Sequence, residues 1–177
     1  MKIIVMKFGG TSVADVKKIR KVAETVSKES KKYKILVVLS AMSGETNKLQ
    51  SFIDEIQYTH SKESDLVITS GEQVTIGLLS MILNKNGIKS IPLLGWQIPI
   101  ITDEHHGKGR ILNIDNANIE NYFKSNDVIV LAGFQGVDVN GSITSLGRGG
   151  SDITAVAIAA AVKAERCDIF TDVEGVF

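Results

Sequence analysis

The chain has 177 residues, of which 44% are hydrophobic and 23% charged, the composition of a globular domain large enough to bury a core. Its 20 lysines and arginines balance its 20 aspartates and glutamates, which argues against binding to nucleic acid or to an anionic membrane surface. The single cysteine, Cys167, excludes a disulfide framework, and no stretch resembles a signal peptide or a membrane span, so we expect a cytoplasmic protein.

The first half of the chain predicts buried strands alternating with helices. Short apolar runs bounded by glycine or serine predict strands at residues 2–8, 35–39 and 89–94. Apolar residues at helical spacing predict three helices. They cover residues 11–32, where Thr11 and Ser12 cap the start, then 45–58, and 66–83 with an interruption at Ser70-Gly71-Glu72.

Residues 96–114 lack regular periodicity, and we expect a flap or hairpin there. The adjacent His105 and His106 are not expected to bind a metal, because neighbours in sequence seldom point the same way. A short helix is predicted at 115–124, strands at 128–132 and 166–171, and a β-hairpin around Asn140-Gly141.

The most informative stretch is Leu146-Gly147-Arg148-Gly149-Gly150-Ser151-Asp152. An apolar run from Ala155 to Val162 follows at once and predicts a buried helix. A glycine-rich loop that opens a helix favours anions, because the first amides of the helix have no intrahelical partner. Arg148 can bind a carboxylate or phosphate through two parallel hydrogen bonds. The alternative is a tight turn in which Ser151 caps the helix.

This alternation predicts an α/β fold in which a mostly parallel sheet is sandwiched by helices. Ligands of such sheets bind at the carboxyl ends of the strands. The loops expected at that edge are rich in glycine, hydroxyls and charge, and a single active site is plausible there. They are Lys7–Ser12, Ser40–Thr46, Gly95-Trp96, Gly133–Gly136 and Thr171-Asp172.

The chemistry available at this edge favours direct transfer of a phosphoryl group. No nucleophile–base pair is evident, since the histidines lie away from the serine loops. Phosphoryl transfer needs mainly positioning and neutralisation of negative charge, which Lys7, the glycine amides and a metal ion can supply.

Eight motifs, in order along nearly the whole chain, resemble those of aspartate kinases, in the amino acid kinase superfamily. They are Lys7-Phe8-Gly9-Gly10-Thr11-Ser12-Val13, Ser40-Ala41-Met42, Thr69-Ser70-Gly71-Glu72-Gln73, Gly95-Trp96-Gln97, Ile101-Thr102-Asp103, Gly133-Phe134-Gln135-Gly136, Leu146 to Asp152 and Thr171-Asp172-Val173-Glu174-Gly175-Val176. The resemblance implies the amino acid kinase (carbamate kinase-like) fold. It also implies phosphorylation of the L-aspartate side chain to 4-phospho-L-aspartate, at the start of lysine, threonine and methionine biosynthesis, with ATP and Mg²⁺.

The resemblance further implies roles for individual residues. Lys7 and Asp152 would be the catalytic pair, with Lys7 contacting the transferring phosphate. Arg148 would bind a carboxylate of aspartate and Glu72 its ammonium, although Glu72 could instead be an ordinary acidic residue at a helix start. Further contacts to aspartate or phosphate would come from Ser40, Thr46 and Ser151. The nucleotide and phosphate would meet Lys7, Gly9, Gly10, Thr171, Asp172 and Phe177, and no residue is assigned as a metal ligand.

Family members continue beyond the position of Phe177, so we expect residues 1–177 to be an incomplete catalytic domain that lacks part of the nucleotide site and the regulatory domains. An exposed sheet edge or apolar helix surface would follow, and with it association into homo-oligomers. Two alternatives remain at this point. One is another superfamily member that acts on acetylglutamate, glutamate, carbamate or a nucleoside monophosphate, and the other is a fragment that binds aspartate without turnover.

Overall fold

The computed structural model describes residues 2–171, in which helices and strands alternate along most of the chain. The strands are β1 (Ile3–Phe8), β2 (Lys34–Leu39), β3 (Ser90–Leu93), β4 (Ile100–Thr102), β5 (Ile111–Ile114), β6 (Val128–Ala132), β7 (Gln135–Val137), β8 (Ile143–Ser145) and β9 (Arg166–Phe170). The helices are α1 (Val16–Glu29), α2 (Glu45–Ile56), α3 (Lys62–Ile68), α4 (Ser70–Lys85), α5 (Asn116–Phe123) and α6 (Gly150–Ala161).

The main sheet has five strands in the order β3-β6-β2-β1-β9, and every neighbouring pair is parallel. This confirms the predicted parallel sheet. All five carboxyl ends therefore lie at one edge, and the loops after β1, β2 and β6 begin there.

The central strands β1, β2 and β6 are buried on both faces of the sheet, as their continuous apolar runs predict. Side chains alternate between the two faces with a period of two. In β1, Ile4, Met6 and Phe8 join a core with α1 and α4, whereas Val5 joins a core with α5 and α6. Lys7 shares the face of Val5, which directs it toward α6.

The predicted flap and the predicted hairpin pair with each other, which sequence analysis did not anticipate. β4 and β5 form one hairpin and β7 and β8 the other, and a parallel contact between β4 and β7 joins them into a four-stranded sheet. Gln135 already begins β7, so the expected loop Gly133–Gly136 is reduced to Gly133 and Phe134. A short linker of this kind places β7 directly beside the carboxyl edge of the main sheet.

Several helix boundaries differ from prediction. Asp15 rather than Thr11 or Ser12 caps α1, since its side chain accepts a 2.7 Å hydrogen bond from the Lys18 amide, and residues 10–13 form a 3₁₀ turn. Ser61 caps α3 four residues earlier than expected. The interruption before Glu72 falls at Thr69, between α3 and α4.

The helical stretch Lys62–Lys85, made of α3 and α4, is long and apolar enough to cross a membrane by length and composition alone. Half of its most apolar segment is buried inside the protein, where α4 packs against β3 and β6. A core helix has the same composition, so this stretch is only weak evidence for a membrane span.

Part of the surface near β9 is apolar and exposed, as the sequence led us to expect. β9 is an edge strand of the main sheet among the described residues, and Ile169 is 44% exposed. On α6, Ile153 and Val156 are 46% and 55% exposed, so the run predicted to be fully buried is buried on one side only. The oligomeric state remains a prediction.

We predict opposite effects on stability for alanine at two glycines. Gly136 lies at the junction of β4 and β7, and Gly77 lies in α4. A Cβ at Gly136 would lie 2.6 Å from the Ile100 carbonyl oxygen, so Gly136→Ala should destabilise the protein by about 1–3 kcal/mol. A Cβ at Gly77, in α4, meets nothing within 4 Å, and Gly77→Ala should stabilise it by about 0.5–1 kcal/mol. Urea unfolding of both variants measures the two changes in the free energy of unfolding. Equal changes would contradict the close approach of the Ile100 carbonyl to Gly136.

Candidate functional site

An ion pair links the end of β1 to the first turn of α6. The Lys7 Nζ lies 2.8 Å from the Asp152 Oδ1, with the lysine side chain 10% exposed and the aspartate side chain 47% exposed. Gly9 lies close by, since a Cβ there would sit 3.6 Å from the same Nζ. The sequence-predicted residues Lys7, Gly9 and Asp152 are therefore brought together at the carboxyl edge of the sheet.

α6 begins directly in the glycine-rich loop. Its N-cap is Gly149, whose φ of 73° favours glycine, and no side chain caps the helix. The alternative in which Ser151 caps the helix is therefore wrong, because Ser151 already lies in the first turn. Gly133 permits a close approach there, since a Cβ would come within 2.8 Å of the Ser151 side chain. The first amides of α6 thus lie beside the end of β6.

Glu72 is a buried carboxylate that is only half satisfied. It is 2% exposed, and its Oε1 accepts a 3.0 Å hydrogen bond from the Ala41 amide. Its Oε2 has no hydrogen-bond partner among the described residues. Burial raises the pKa of Glu72 to about 7, against the smaller opposing effect of the Ala41 hydrogen bond. A buried oxygen of this kind is suited to a cationic or hydrogen-bonding ligand.

A cavity of about 690 Å³ opens in front of Glu72. It is lined by all five side chains that the sequence assigned to the acceptor, which are Ser40, Thr46, Glu72, Arg148 and Ser151. Arg148 is exposed and has no hydrogen-bond or ion-pair partner within residues 2–171. An unpaired guanidinium and an unpaired carboxylate oxygen therefore face one polar space.

The cavity is also lined by residues to which the sequence analysis assigned no role in the site. They include Asn47, Gln50 and Asp54 of α2, the buried Asp65 of α3, and Phe134, whose φ of 68° is unusual for a bulky residue. His60 lines the cavity as well, which corrects the expectation that the histidines lie away from the serine loops. No local signal marks the positive φ of Phe134, because the preceding Gly133 does not itself adopt a positive φ.

The remaining predicted residues lie beside the cavity or outside the described part of the chain. Lys7 and Gly9 adjoin it through the Lys7–Asp152 pair, whereas Gly10 lies against the Ala41 carbonyl and Ser43 in the loop after β2. Thr171 is described at the end of β9, where it is exposed. Asp172 and Phe177, which were assigned to the nucleotide, lie outside the described residues. Gly95 and Trp96 lie near β7, where the Gly95 amide donates to the Gln135 side chain at 3.4 Å.

These groups divide the edge into two chemical regions. One offers a lysine, glycine amides and a helix start, which suit a phosphate. The other offers a free guanidinium beside a buried carboxylate, which suits a small molecule that carries both charges. The two regions adjoin at Ser151 and Asp152, so a phosphate and such a molecule could lie next to each other.

Comparison with known proteins gives a consistent result. A family model described as the amino acid kinase family matches residues 2–177. An aspartokinase from Pseudomonas aeruginosa is 52% identical over 179 residues, which cover all of this chain and 43% of that protein. The chain therefore spans less than half the length of this curated relative.

Solved structures agree. The aspartate kinase from Synechocystis superposes with a TM-score of 0.84 at 40% identity, covering 98% of this chain and 28% of that one. Escherichia coli aspartokinase III in complex with aspartate and ADP superposes with a TM-score of 0.82 at 26% identity, covering 99% of this chain and 50% of that one.

Because Glu72 is buried, we predict that its ionisation lowers the free energy of unfolding as pH rises. Its pKa is higher in the folded state, about 7 against 4.5, so the folded state binds more protons in that window and stability falls as pH rises through it. Glu72→Gln should match wild type near pH 4, below the unfolded pKa, and exceed it by up to about 3 kcal/mol at pH 8, since each pKa unit is worth about 1.4 kcal/mol. Denaturant unfolding at both pH values measures this.

The exposed Glu55 of α2 provides a matched control, because Glu55→Gln removes the same charge without relieving burial. It should show no pH-dependent gain. An equal gain in both variants would mean that net charge, rather than desolvation of Glu72, causes the effect.

Proposed function

Since this chain belongs to the amino acid kinase family, we propose that it forms the acceptor half and part of the phosphate half of an aspartate kinase catalytic domain. The reaction would be ATP-dependent phosphorylation of the L-aspartate side chain. The observation that carries this proposal is that Arg148 and Glu72, whose Oε2 has no hydrogen-bond partner among the described residues, line the same cavity. The 52% identity to an aspartokinase supports the choice of aspartate over the acceptors of other family members.

The acceptor would be held by its two kinds of charge. The Arg148 guanidinium would bind a carboxylate through two hydrogen bonds, and Glu72 would bind the ammonium through the oxygen that has no partner in the described chain. Ser40, Thr46 and Ser151 would add hydroxyl contacts. An amino acid with one ammonium and two carboxylates uses every one of these groups, whereas a nucleoside monophosphate leaves the Glu72 carboxylate without a cation.

The phosphate would lie on the other side of Ser151, against Lys7 and the amides of Gly9 and Gly10. A side-chain carboxylate oxygen of the acceptor would attack the γ-phosphorus of ATP. The bond from that phosphorus to the β,γ-bridging oxygen would break, leaving ADP and an acyl phosphate. Lys7 would neutralise charge on the transferring group, and Asp152 would hold the Lys7 ammonium at its observed position.

The residues present suit a Mg²⁺ ion carried by ATP rather than by a protein cage. Within residues 2–171 no three histidine, cysteine or acidic side chains come together as a metal site. Mg²⁺ commonly binds through one carboxylate together with substrate phosphates. Asp152 would be that carboxylate, and the ion would supply further charge neutralisation. We further propose a cytoplasmic location and a homo-oligomeric complete protein.

Calorimetry with L-aspartate tests the acceptor site. Arg148→Ala should weaken binding by roughly 10- to 100-fold, because a charge-assisted hydrogen bond is worth about 1.5–3 kcal/mol. Arg110→Ala is the control, since Arg110 is an exposed arginine that does not line the cavity. No aspartate binding by the wild-type chain, or equal loss in both variants, would refute the proposal for this site.

Calorimetry with ATP and magnesium tests the phosphate region. Asp152→Asn should weaken nucleotide binding at least about tenfold, since Lys7 loses the charge that positions it. Asp127→Asn is closely matched, because Asp127 pairs with Lys34 at the same 2.8 Å and its side chain is 46% exposed. If aspartate binds but ATP does not, the chain holds the acceptor half alone and turnover requires the rest of the protein.

The raised pKa of Glu72 also predicts how aspartate binding depends on pH. The ionised carboxylate pairs with an ammonium, so affinity should fall as pH is lowered from 8 to 6, by at most about tenfold per unit. Glu72→Gln should bind weakly and without this dependence. Because His60 also lines the cavity, the titration is repeated in His60→Asn. A dependence that survives in Glu72→Gln but disappears in His60→Asn would assign it to the imidazole instead.

A further inference from the structure

Asp65 is a second buried carboxylate at the cavity, and nothing proposed so far uses it. It is 1% exposed, and both of its oxygens have hydrogen-bond partners. Oδ1 accepts from the Ser145 hydroxyl at 2.6 Å and from the Gly107 amide at 3.1 Å, and Oδ2 lies 2.8 Å from the His106 Nδ1. This contrasts with Glu72, which keeps one oxygen free. Asp65 therefore acts on its protein partners rather than directly on a ligand.

Those partners belong to the two segments that border the cavity opposite α3. Ser145 is the last residue of β8, three positions before Arg148. Gly107 and His106 lie in the turn between β4 and β5. The two segments also touch each other, since the Gly109 amide donates to the Ser145 carbonyl at 2.8 Å, and a Cβ at Gly147 would meet the Gly107 carbonyl at 3.2 Å. One carboxylate on α3 thus holds together two segments. They are the β4–β5 turn and the start of residues 146–149, which we call the Arg148 loop.

We propose that Asp65 is a positioning residue that fixes the Arg148 loop and the β4–β5 turn over the cavity, and thereby sets the affinity for the acceptor. The second part rests on the proposed function, whereas the first does not. A buried carboxylate is a costly way to join two segments unless its geometry matters, because apolar packing generally stabilises as well or better. Hydrogen bonds from several donors to one charged group fix direction, which apolar contacts do not.

The chain offers a matched control in Asp138. It is also buried, at 5% exposure, and its Oδ1 accepts from the amides of Asn140 and Ser142 at 2.9 and 2.8 Å. These bonds close the β7–β8 turn, at the opposite end of β8 from Arg148. Asp138→Ala, which deletes these bonds as Asp65→Ala deletes its own, should therefore affect stability without affecting the Arg148 loop.

Hydrogen exchange on the ligand-free chain tests the first part of the proposal. In Asp65→Ala, the hydrogen-bonded amides of Gly107, Gly109, Leu146 and Gly150 should exchange roughly ten- to hundredfold faster, while amides of β1 and β2 should keep their protection. Ser145→Ala, which deletes one of the bonds, should accelerate exchange at Leu146 and Gly150 to a smaller extent. It remains informative if Asp65→Ala does not fold. Unchanged exchange of these amides in folded variants overturns the proposal, whatever the chain binds.

Calorimetry with L-aspartate tests the second part. Asp65→Ala should weaken binding by roughly ten- to hundredfold, as expected when a binding group is misplaced, and Asp65→Asn, whose amide oxygen can still accept from Ser145 and Gly107, should recover most of it. Asp65→Ala/Ser145→Ala should bind no more weakly than Asp65→Ala, because both act through one connection. Full additivity, or an equal loss in Asp138→Ala, would show that Asp65 merely stabilises the fold.

Discussion

The ion pair between Lys7 and Asp152 is the contact on which the candidate site depends. It joins the carboxyl end of β1 to the amino end of α6, the two places where a parallel α/β fold concentrates unpaired amides and positive potential. A lysine that is 10% exposed needs a counter-charge, and Asp152 supplies one at 2.8 Å. The pair therefore sets the relative position of the phosphate region and of the cavity that begins at Ser151.

Two carboxylates at the cavity show how burial can serve different purposes. Asp65 has donors for both oxygens, so its charge is balanced within the protein and stabilises the surrounding segments. Glu72 has a donor for one oxygen only, and burial raises its pKa to about 7. The folded chain thus keeps a partly uncompensated carboxylate at the site, a cost that a bound cation would offset.

Much of the fold was predictable because its signals are local. The apolar runs of β1, β2 and β6 mark strands that are buried on both faces, and glycine marks the breaks after β1 and before α6. Helix starts were less predictable, since Asp15 competes with Thr11 and Ser12 as a cap and only the backbone geometry decides among them. The pairing of the two hairpins into one sheet has no local signal, because β4 and β7 are separated by more than 30 residues.

By itself, the sequence determined the parallel sheet, the glycine-rich start of α6 and the set of residues at the carboxyl edge, because each is fixed by residue type and spacing along the chain. Only the tertiary structure decided which of the two buried carboxylates, Asp65 or Glu72, has hydrogen-bond partners for both oxygens. The Asp65 partners lie 41 and 80 residues away, and the empty side of Glu72 exists because no donor from another segment reaches it within the described chain. Such partnerships depend on how distant segments pack, and a linear pattern of residues does not record that packing.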